Sequence, residues 1–293
     1  MKIRIGVGAA GTSSTPDVLT ELVTGLDQLG FDSLWLSEVL TGPVLDPVVG
    51  LAWAAASNPR LKLGTTMLLP GRNVLRLAKQ LASLDVLCNG RLLVTLVPGL
   101  TYAPEREAIG IDPKRRGAFI DEALPLVRRL WAGETVSHDG TAGSFRDVKL
   151  WPLPAQQPLE VWLGGTAPAA LERCGRLSDG WLPSQCTPEE AAAGRVVVEE
   201  AAARAGRSIS SEHFGVSIGY ARVPIDPATA RMMTARRPRA VELTPVGLPA
   251  LRERIERFIA VGFSKFVVRP VAAPASWRAE LEALSAAVGD LQT

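Results

Sequence analysis

Residues 61–99 read LKLGTTMLLPGRNVLRLAKQLASLDVLCNGRLLVTLVPG, an apolar β-branched strand, a turn, an amphipathic helix, a glycine stop and a second apolar strand. Leu75, Ala78, Leu81, Ala82, Asp85 and Cys88 recur at helical spacing. Leu77 and Leu84 widen the apolar stripe, so this helix must lie on a sheet. Asn89 and Gly90 end it, because both tolerate the left-handed backbone of a helix cap. The whole is one βαβ unit.

The same order recurs along the chain. Leu26 to Gly30 closes a helix before the apolar run Phe31 to Leu36, and Phe258 to Gly262 closes another before Phe263 to Arg269. Alternation of helix and strand implies a parallel sheet covered by helices. About eight candidate strands follow, roughly 3–8, 33–37, 61–66, 92–97, 159–163, 179–182, 212–222 and 265–269, with ends uncertain by ~2–4 residues. Eight strands predict an α/β fold closed as a (β/α)8 TIM barrel, which typically needs ~250 residues. The 293 residues therefore leave room for loop insertions. Residues 98–117 lack a sustained apolar stripe, and 223–245 carry several prolines and four arginines. Both follow strands, on the face where a barrel keeps its chemistry. Thr135 to Leu150, with Asp139-Gly140 between short alternating runs, reads as a hairpin. No linker-like break interrupts residues 1–293, so one domain is expected.

Composition narrows the setting. A net charge of +2 with interspersed signs offers no field for nucleic acid, and Arg236-Arg237-Pro238-Arg239 is a short run that reads as a solvated or anion-facing loop. A strand begins within three residues of the start with no basic-then-apolar leader, and no apolar run approaches the ~18 residues that span a bilayer. A cytoplasmic protein without membrane partners is expected. Cys88, Cys174 and Cys186 form no CxxC pair, as suits a reducing compartment, and Cys88 and Cys174 read as small buried apolar groups rather than nucleophiles. His138 and His213 stand in no HxxxH or HExxH spacing, which speaks against a histidine-built metal site, and GxSxG is absent. The chemistry is expected from a bound organic cofactor.

Val161 to Pro168 marks where that cofactor would sit. A buried strand runs into Gly164-Gly165, then Thr166, Ala167 and a proline suited to a first helical turn. Glycines there let backbone N–H groups approach a phosphate at the positive end of the helix. A tight βα turn capped by Thr166 or Ala167 is the equally open structural reading.

The order of GFDSLWLSE, LGTTMLLPGRNVLRLAKQLASLDVLCNGRLL, RRGAFIDEALPLVRRLWAGE, LEVWLGGTAPAALERCGRLSDGWLP and GFSKFVVRP resembles the luciferase-like family of flavin- and deazaflavin-dependent oxidoreductases over about nine-tenths of the chain. The SE after the second strand and the GGTAP turn are most similar to the branch using coenzyme F420. The resemblance implies a (β/α)8 barrel with an insertion, its cofactor ring at the carboxyl ends of the strands. It implies that Gly164, Gly165 and Thr166 hold the cofactor phosphate, and that Glu38 stands as the acidic, catalytic residue near the ring. Thr66 and Met67 match a bulge with a non-proline cis peptide against the ring, and Val97-Pro98-Gly99 matches a glycine-rich turn. Arg269 ends the last strand, where a cation meets substrate or cofactor anion, or pairs with a structural carboxylate. This chain departs from the pattern at Glu38-Val39, where many relatives have Asp-His, and at Pro98, which lacks an N–H donor. The expected activity is F420-dependent hydride transfer to or from a small organic substrate. The alternatives are an FMN-dependent monooxygenase fed by a flavin reductase, and a non-catalytic flavin or deazaflavin carrier. A homodimer is carried over as resemblance.

Overall fold

The computed structural model describes residues 1–9, 15–99, 102–110 and 112–293. Its first half runs β1 (Arg4–Gly8), α1 (Pro16–Gln28), β2 (Ser33–Ser37), α2 (Pro47–Ser57), β3 (Lys62–Leu68), α3 (Val74–Leu87), β4 (Leu92–Val97), α4 (Ala103–Ala108) and α5 (Arg116–Trp131). A hairpin of β5 (Val136–Gly140) and β6 (Gly143–Val148) follows. The second half runs β7 (Val161–Leu163), α6 (Pro168–Leu177), β8 (Gly180–Trp181), α7 (Pro188–Arg204), β9 (Gly215–Tyr220), α8 (Pro227–Arg236), α9 (Leu248–Ala260), β10 (Lys265–Pro270) and α10 (Trp277–Val288).

The local causes are those read from the sequence. Asn73 caps α3 by accepting from the Arg76 N–H at 3.0 Å, and Asn89 and Gly90 close its far end at φ of 51° and 72°. Leu77, Ala78, Leu81, Ala82 and Leu84 bury one face of α3. Asp85, also fully buried, is there because its carboxylate accepts from the Gln156 backbone at 2.8 Å and side chain at 2.7 Å.

Eight parallel strands form one sheet in the order β8-β7-β4-β3-β2-β1-β10-β9. Its two ends meet through parallel bridges at Trp181–Phe214 and Ser184–Ser217, so the sheet closes on itself as a (β/α)8 barrel with a thin β8–β9 seam. Outward side chains pack under the helices as the main core. The inside holds a second, smaller apolar layer of Trp35, Leu182 and Val267 with Leu93 and Trp162. Glycine makes room for it: a β-carbon at Gly64 would overlap the Trp35 indole, and one at Gly180 would overlap Trp162. Below this layer Asp32 accepts from Lys62 Nζ at 2.9 Å and Lys265 Nζ at 2.7 Å, tying β3 and β10 to β2 at the amino end.

The two expected loop insertions need correction. Residues 98–117 contain α4 and residues 223–245 contain α8. Neither shows an apolar stripe because neither packs one: α8 buries no residue and α4 buries only Glu105.

Candidate active site

Parallel strands set all their carboxyl ends on one rim, and every residue singled out from the sequence lies there: Glu38 after β2, Thr66 and Met67 late in β3, Val97 to Gly99 at the end of β4, Gly164 to Thr166 after β7, and Arg269 in β10. Alternation decides which side chains reach the mouth. Gly64 faces the inside, so Thr66 and Leu68 do too. Met67 points the other way and is fully buried in the helix-covered core, as is Leu69, so the Met67 side chain does not line the site. The expected non-proline cis peptide is not found in β3 either. Among the described residues the cis bonds are Trp151–Pro152 and Gln157–Pro158, and β3 stays in unbroken register with β4 through Leu68–Val97.

Glu38 is held on both oxygens. One accepts from the Leu68 N–H at 2.8 Å and the other meets the Arg72 guanidinium, with the side chain 7% exposed. Its own N–H donates to the Thr66 carbonyl at 2.8 Å. A carboxylate so engaged fixes the end of β3, with each of its oxygens already hydrogen-bonded. Across from it, Gly99 takes φ of 59° and gives its carbonyl to Arg116, which stands at the start of α5. Leu68 crowds the Gly99 α-carbon so closely that a side chain there would collide with it.

In the turn after β7 the two glycines differ. The Gly164 N–H is spent on the Leu96 carbonyl at 3.2 Å, so it extends the β4–β7 ladder. Gly165 takes φ of 108°, a conformation open only to glycine at low cost, and its carbonyl accepts from the Trp181 indole at 2.9 Å. The N–H groups of Gly165, Thr166 and Ala167 have no hydrogen bond among the described residues. Ala167 caps α6 without a side-chain acceptor, and Thr166 is exposed. Three unspent donors at the positive end of a ten-residue helix are of the kind that can receive an anion, and Gly164 adds no donor to them.

Two residues on the rim escaped the sequence reading. Gln185, just past β8, holds a left-handed φ of 61° and a buried Oε1 without a hydrogen-bond partner. Strain and an orphaned acceptor in one residue make Gln185 a candidate ligand contact, and no single-sequence pattern announces either. Ser184 beside it accepts from Arg237 at 2.8 Å. Arg269, which the sequence did single out, is half-buried and has no hydrogen bond or ion pair among the described residues, so the structural carboxylate expected as one possible partner is not there. Desolvation and the nearby Arg237 cation both push its pKa below the usual arginine range.

The inserted helices lie over this rim. Glu105 of α4, 3% exposed, accepts from Thr41 N–H at 3.1 Å and Oγ1 at 2.5 Å and pairs with Arg236 of α8 at 3.3 Å, while Arg236 stacks over Tyr102 at 4.6 Å. One buried carboxylate thus ties together the segments following β2, β4 and β9. Elsewhere the side chains with chemistry are structural. Burial pushes the Cys174 and Cys186 thiols up to about 12, His138 meets Glu122 at 2.6 Å in the hairpin, and His213 is held by the Asp179 carbonyl at 2.8 Å. Among the described residues no cluster of His, Cys, Asp or Glu is placed to hold a metal, and no helix is long and apolar enough to cross a membrane.

Comparison with known proteins bears on the family and the fold. A family model described as luciferase-like monooxygenase matches residues 1–241. The chain is 31% identical over 253 residues to an F420-dependent glucose-6-phosphate dehydrogenase of Beutenbergia cavernae, covering 80% of this chain and 72% of that protein. It is 30% identical over 205 residues to a limonene 1,2-monooxygenase of Rhodococcus erythropolis, covering 67% and 53%. In three dimensions it superposes on an F420-dependent secondary alcohol dehydrogenase, in complex with an F420–acetone adduct, with a TM-score of 0.81 over all of both chains. At 17% identity that likeness concerns the fold alone.

Proposed function

The chain belongs to the luciferase-like monooxygenase family, and from that premise we propose that it is an oxidoreductase using coenzyme F420 to move hydride to or from a small organic substrate. The observation that carries the reading is the turn at Gly165–Ala167, whose three unspent N–H groups suit a phosphate. Relatives named as F420-dependent dehydrogenases support the choice of cofactor. F420, when bound, supplies the hydride chemistry at its ring, and the protein supplies binding and orientation.

Each rim residue then has a part. Gly165, Thr166 and Ala167 donate to the phosphate, and Gly164 keeps the turn against β4. Thr66, Val97, Pro98 and Gly99 wall the ring, and Gln185 Oε1 accepts from an N–H of the bound molecule. Glu38 is a positioning residue: it holds the β3 end that carries Thr66 and Leu68, instead of moving a proton. An FMN-dependent monooxygenase with a partner reductase is the second reading, favoured by the limonene monooxygenase relative. Val49 and Trp53, exposed and one helical turn apart on α2, support a homodimer through that face.

Titrating purified protein with F420 and with FMN tests the reading. F420 is expected to bind at least tenfold more tightly, and Gly165→Val to weaken it at least tenfold, because a side chain at a φ of 108° shifts the turn and its N–H groups, at a stability cost of about 1–3 kcal/mol that a melting curve reads separately. Tighter binding of FMN would replace this reading with the monooxygenase, and equal F420 affinity in the variant would return the turn to a purely structural part.

A further inference from the structure

The arginines of 236–239 meet different fates. Arg236 pairs with Glu105 at 3.3 Å, and Arg239 with Glu190 at 2.7 Å and Glu242 at 3.2 Å. Arg237, exposed on the rim, has no carboxylate among the described residues and donates only to the neutral Ser184 hydroxyl at 2.8 Å. The guanidinium of the second cation of this sector, Arg269, has no hydrogen bond or ion pair among the described residues.

The sheet brings them together. Ser184 bridges to Ser217 of β9, and Arg269 pairs in register with Gly219 of the same strand. The neighbouring strands meet it with glycines, which carry no side chain to pair with: a β-carbon at Gly219 would lie 3.9 Å from Arg269 Nη2, and one at Gly8 would press on the Arg269 β-carbon at 3.2 Å. A desolvated cation without an anion is costly, and a second cation beside it adds repulsion. Nothing among the described residues relieves either cost. An external oxyanion does, because a guanidinium offers it paired N–H donors in fixed geometry.

We propose that Arg269 and Arg237, with the Ser184 hydroxyl, form a clamp for an oxyanion carried by the substrate, so that the substrate class is a phosphate monoester or carboxylate. This deepens the reading of the barrel mouth as the active site and rests on it. The cofactor has its own cradle after β7, and in the sheet order β7 and β10 are separated by β8 and β9. The clamp is therefore a second anion site on the same rim, placed for the reacting partner. Its asymmetry also gives a direction: Arg237 is at the exposed rim and Arg269 deeper, so the anionic end of the substrate enters along β9 while the reacting carbon is left over the centre of the mouth.

The test uses inorganic phosphate and acetate as probes, titrated into the full chain by calorimetry and followed in thermal unfolding, with and without saturating F420. Wild type is expected to bind a probe saturably and to gain melting temperature with its concentration, as any ligand of the native state requires. Arg269→Met should weaken that binding at least tenfold, and Arg237→Met, at an exposed position that folding does not need, should do the same. Both variants should keep F420 affinity within twofold. Preference for phosphate over acetate assigns a monoester, and the reverse a carboxylate. Absence of saturable binding, or equal binding in both variants, overturns the proposal. So does a tenfold loss of F420 affinity in Arg269→Met with probe binding abolished by F420, which would assign the clamp to the cofactor. Probe binding that survives in a protein unable to bind F420 would leave the clamp standing and remove the cofactor reading.

Discussion

Replacing Asp32 by asparagine would test how the amino end of the barrel is held. Asp32 sits between Lys265 Nζ at 2.7 Å and Lys62 Nζ at 2.9 Å, with Arg4 Nε at 4.0 Å. Lys265 is 6% exposed on its side chain and Asp32 11%. Desolvation raises the Asp32 pKa, but the two lysines outweigh it and hold the carboxyl down to about 2 from an ordinary 3.8. That depression is worth about 2 kcal/mol of stability at neutral pH. It is present above the unfolded pKa and is lost as pH falls from about 4 towards 2. The D32N variant would forfeit it and also leave Lys265 as a buried unpaired cation, for a total of about 3–5 kcal/mol. The double variant D32N/K265M removes both charges and should recover most of the loss, because the Met stem still packs against Trp35, over whose ring Lys265 Nζ lies at 6.0 Å. In D32N alone Lys265, whose pKa desolvation already lowers, should lose its proton more readily. The unfolded chain then binds more protons than the folded one, so the variant should regain stability as pH rises towards about 10, with the same sign as the acid limb of the wild type but at the alkaline end of the scale. Guanidinium unfolding of the three proteins at neutral pH, repeated about two and a half pH units higher, measures all of this. A D32N loss under about 1 kcal/mol, or a double variant as unstable as the single one, would refute the argument.

Gln185→Gly should leave stability unchanged or raise it by about 1 kcal/mol, since the left-handed φ of 61° no longer costs strain, while F420 affinity falls about fivefold, the worth of one hydrogen bond. Calorimetry beside a melting curve separates the two effects. Gly64→Ala should cost about 1–3 kcal/mol by forcing the Trp35 indole out of its place, read as a lower unfolding midpoint with changed near-ultraviolet circular dichroism. Glu105→Gln removes the charge that ties Arg236 to Thr41, and should speed amide exchange in α4 and α8 while leaving the barrel strands protected.

The architecture was legible in the chain because it is written in periods. The 3.6-residue stripe from Leu75 to Cys88, the glycine stops at Gly30, Gly90 and Gly262, and the short apolar runs between them describe elements that bury one face each, and all eight expected strands are in the barrel. Parallel topology alone then carries Glu38, Thr66, Gly99, Gly164 and Arg269 to one rim. Resemblance added the family, through a joint order of segments that no single motif carries. What stayed hidden has no period. α4 and α8 pack almost no apolar surface, so no stripe marks them. Met67 reads as a site residue until the two-residue repeat of β3 turns it into the core. Whether Glu38 is free or engaged depends on Arg72 and the Leu68 N–H, and whether Gly164 can donate depends on Leu96 in a neighbouring strand. Arg236, Arg237, Arg239 and Arg269 are the same residue type in the sequence, and only the distribution of carboxylates in space separates the two that are satisfied from the two that are not. Periodicity decides which way a side chain faces, because it is a property of the backbone. Partnership between charges is a property of distance in the folded chain, and tertiary structure alone decides it.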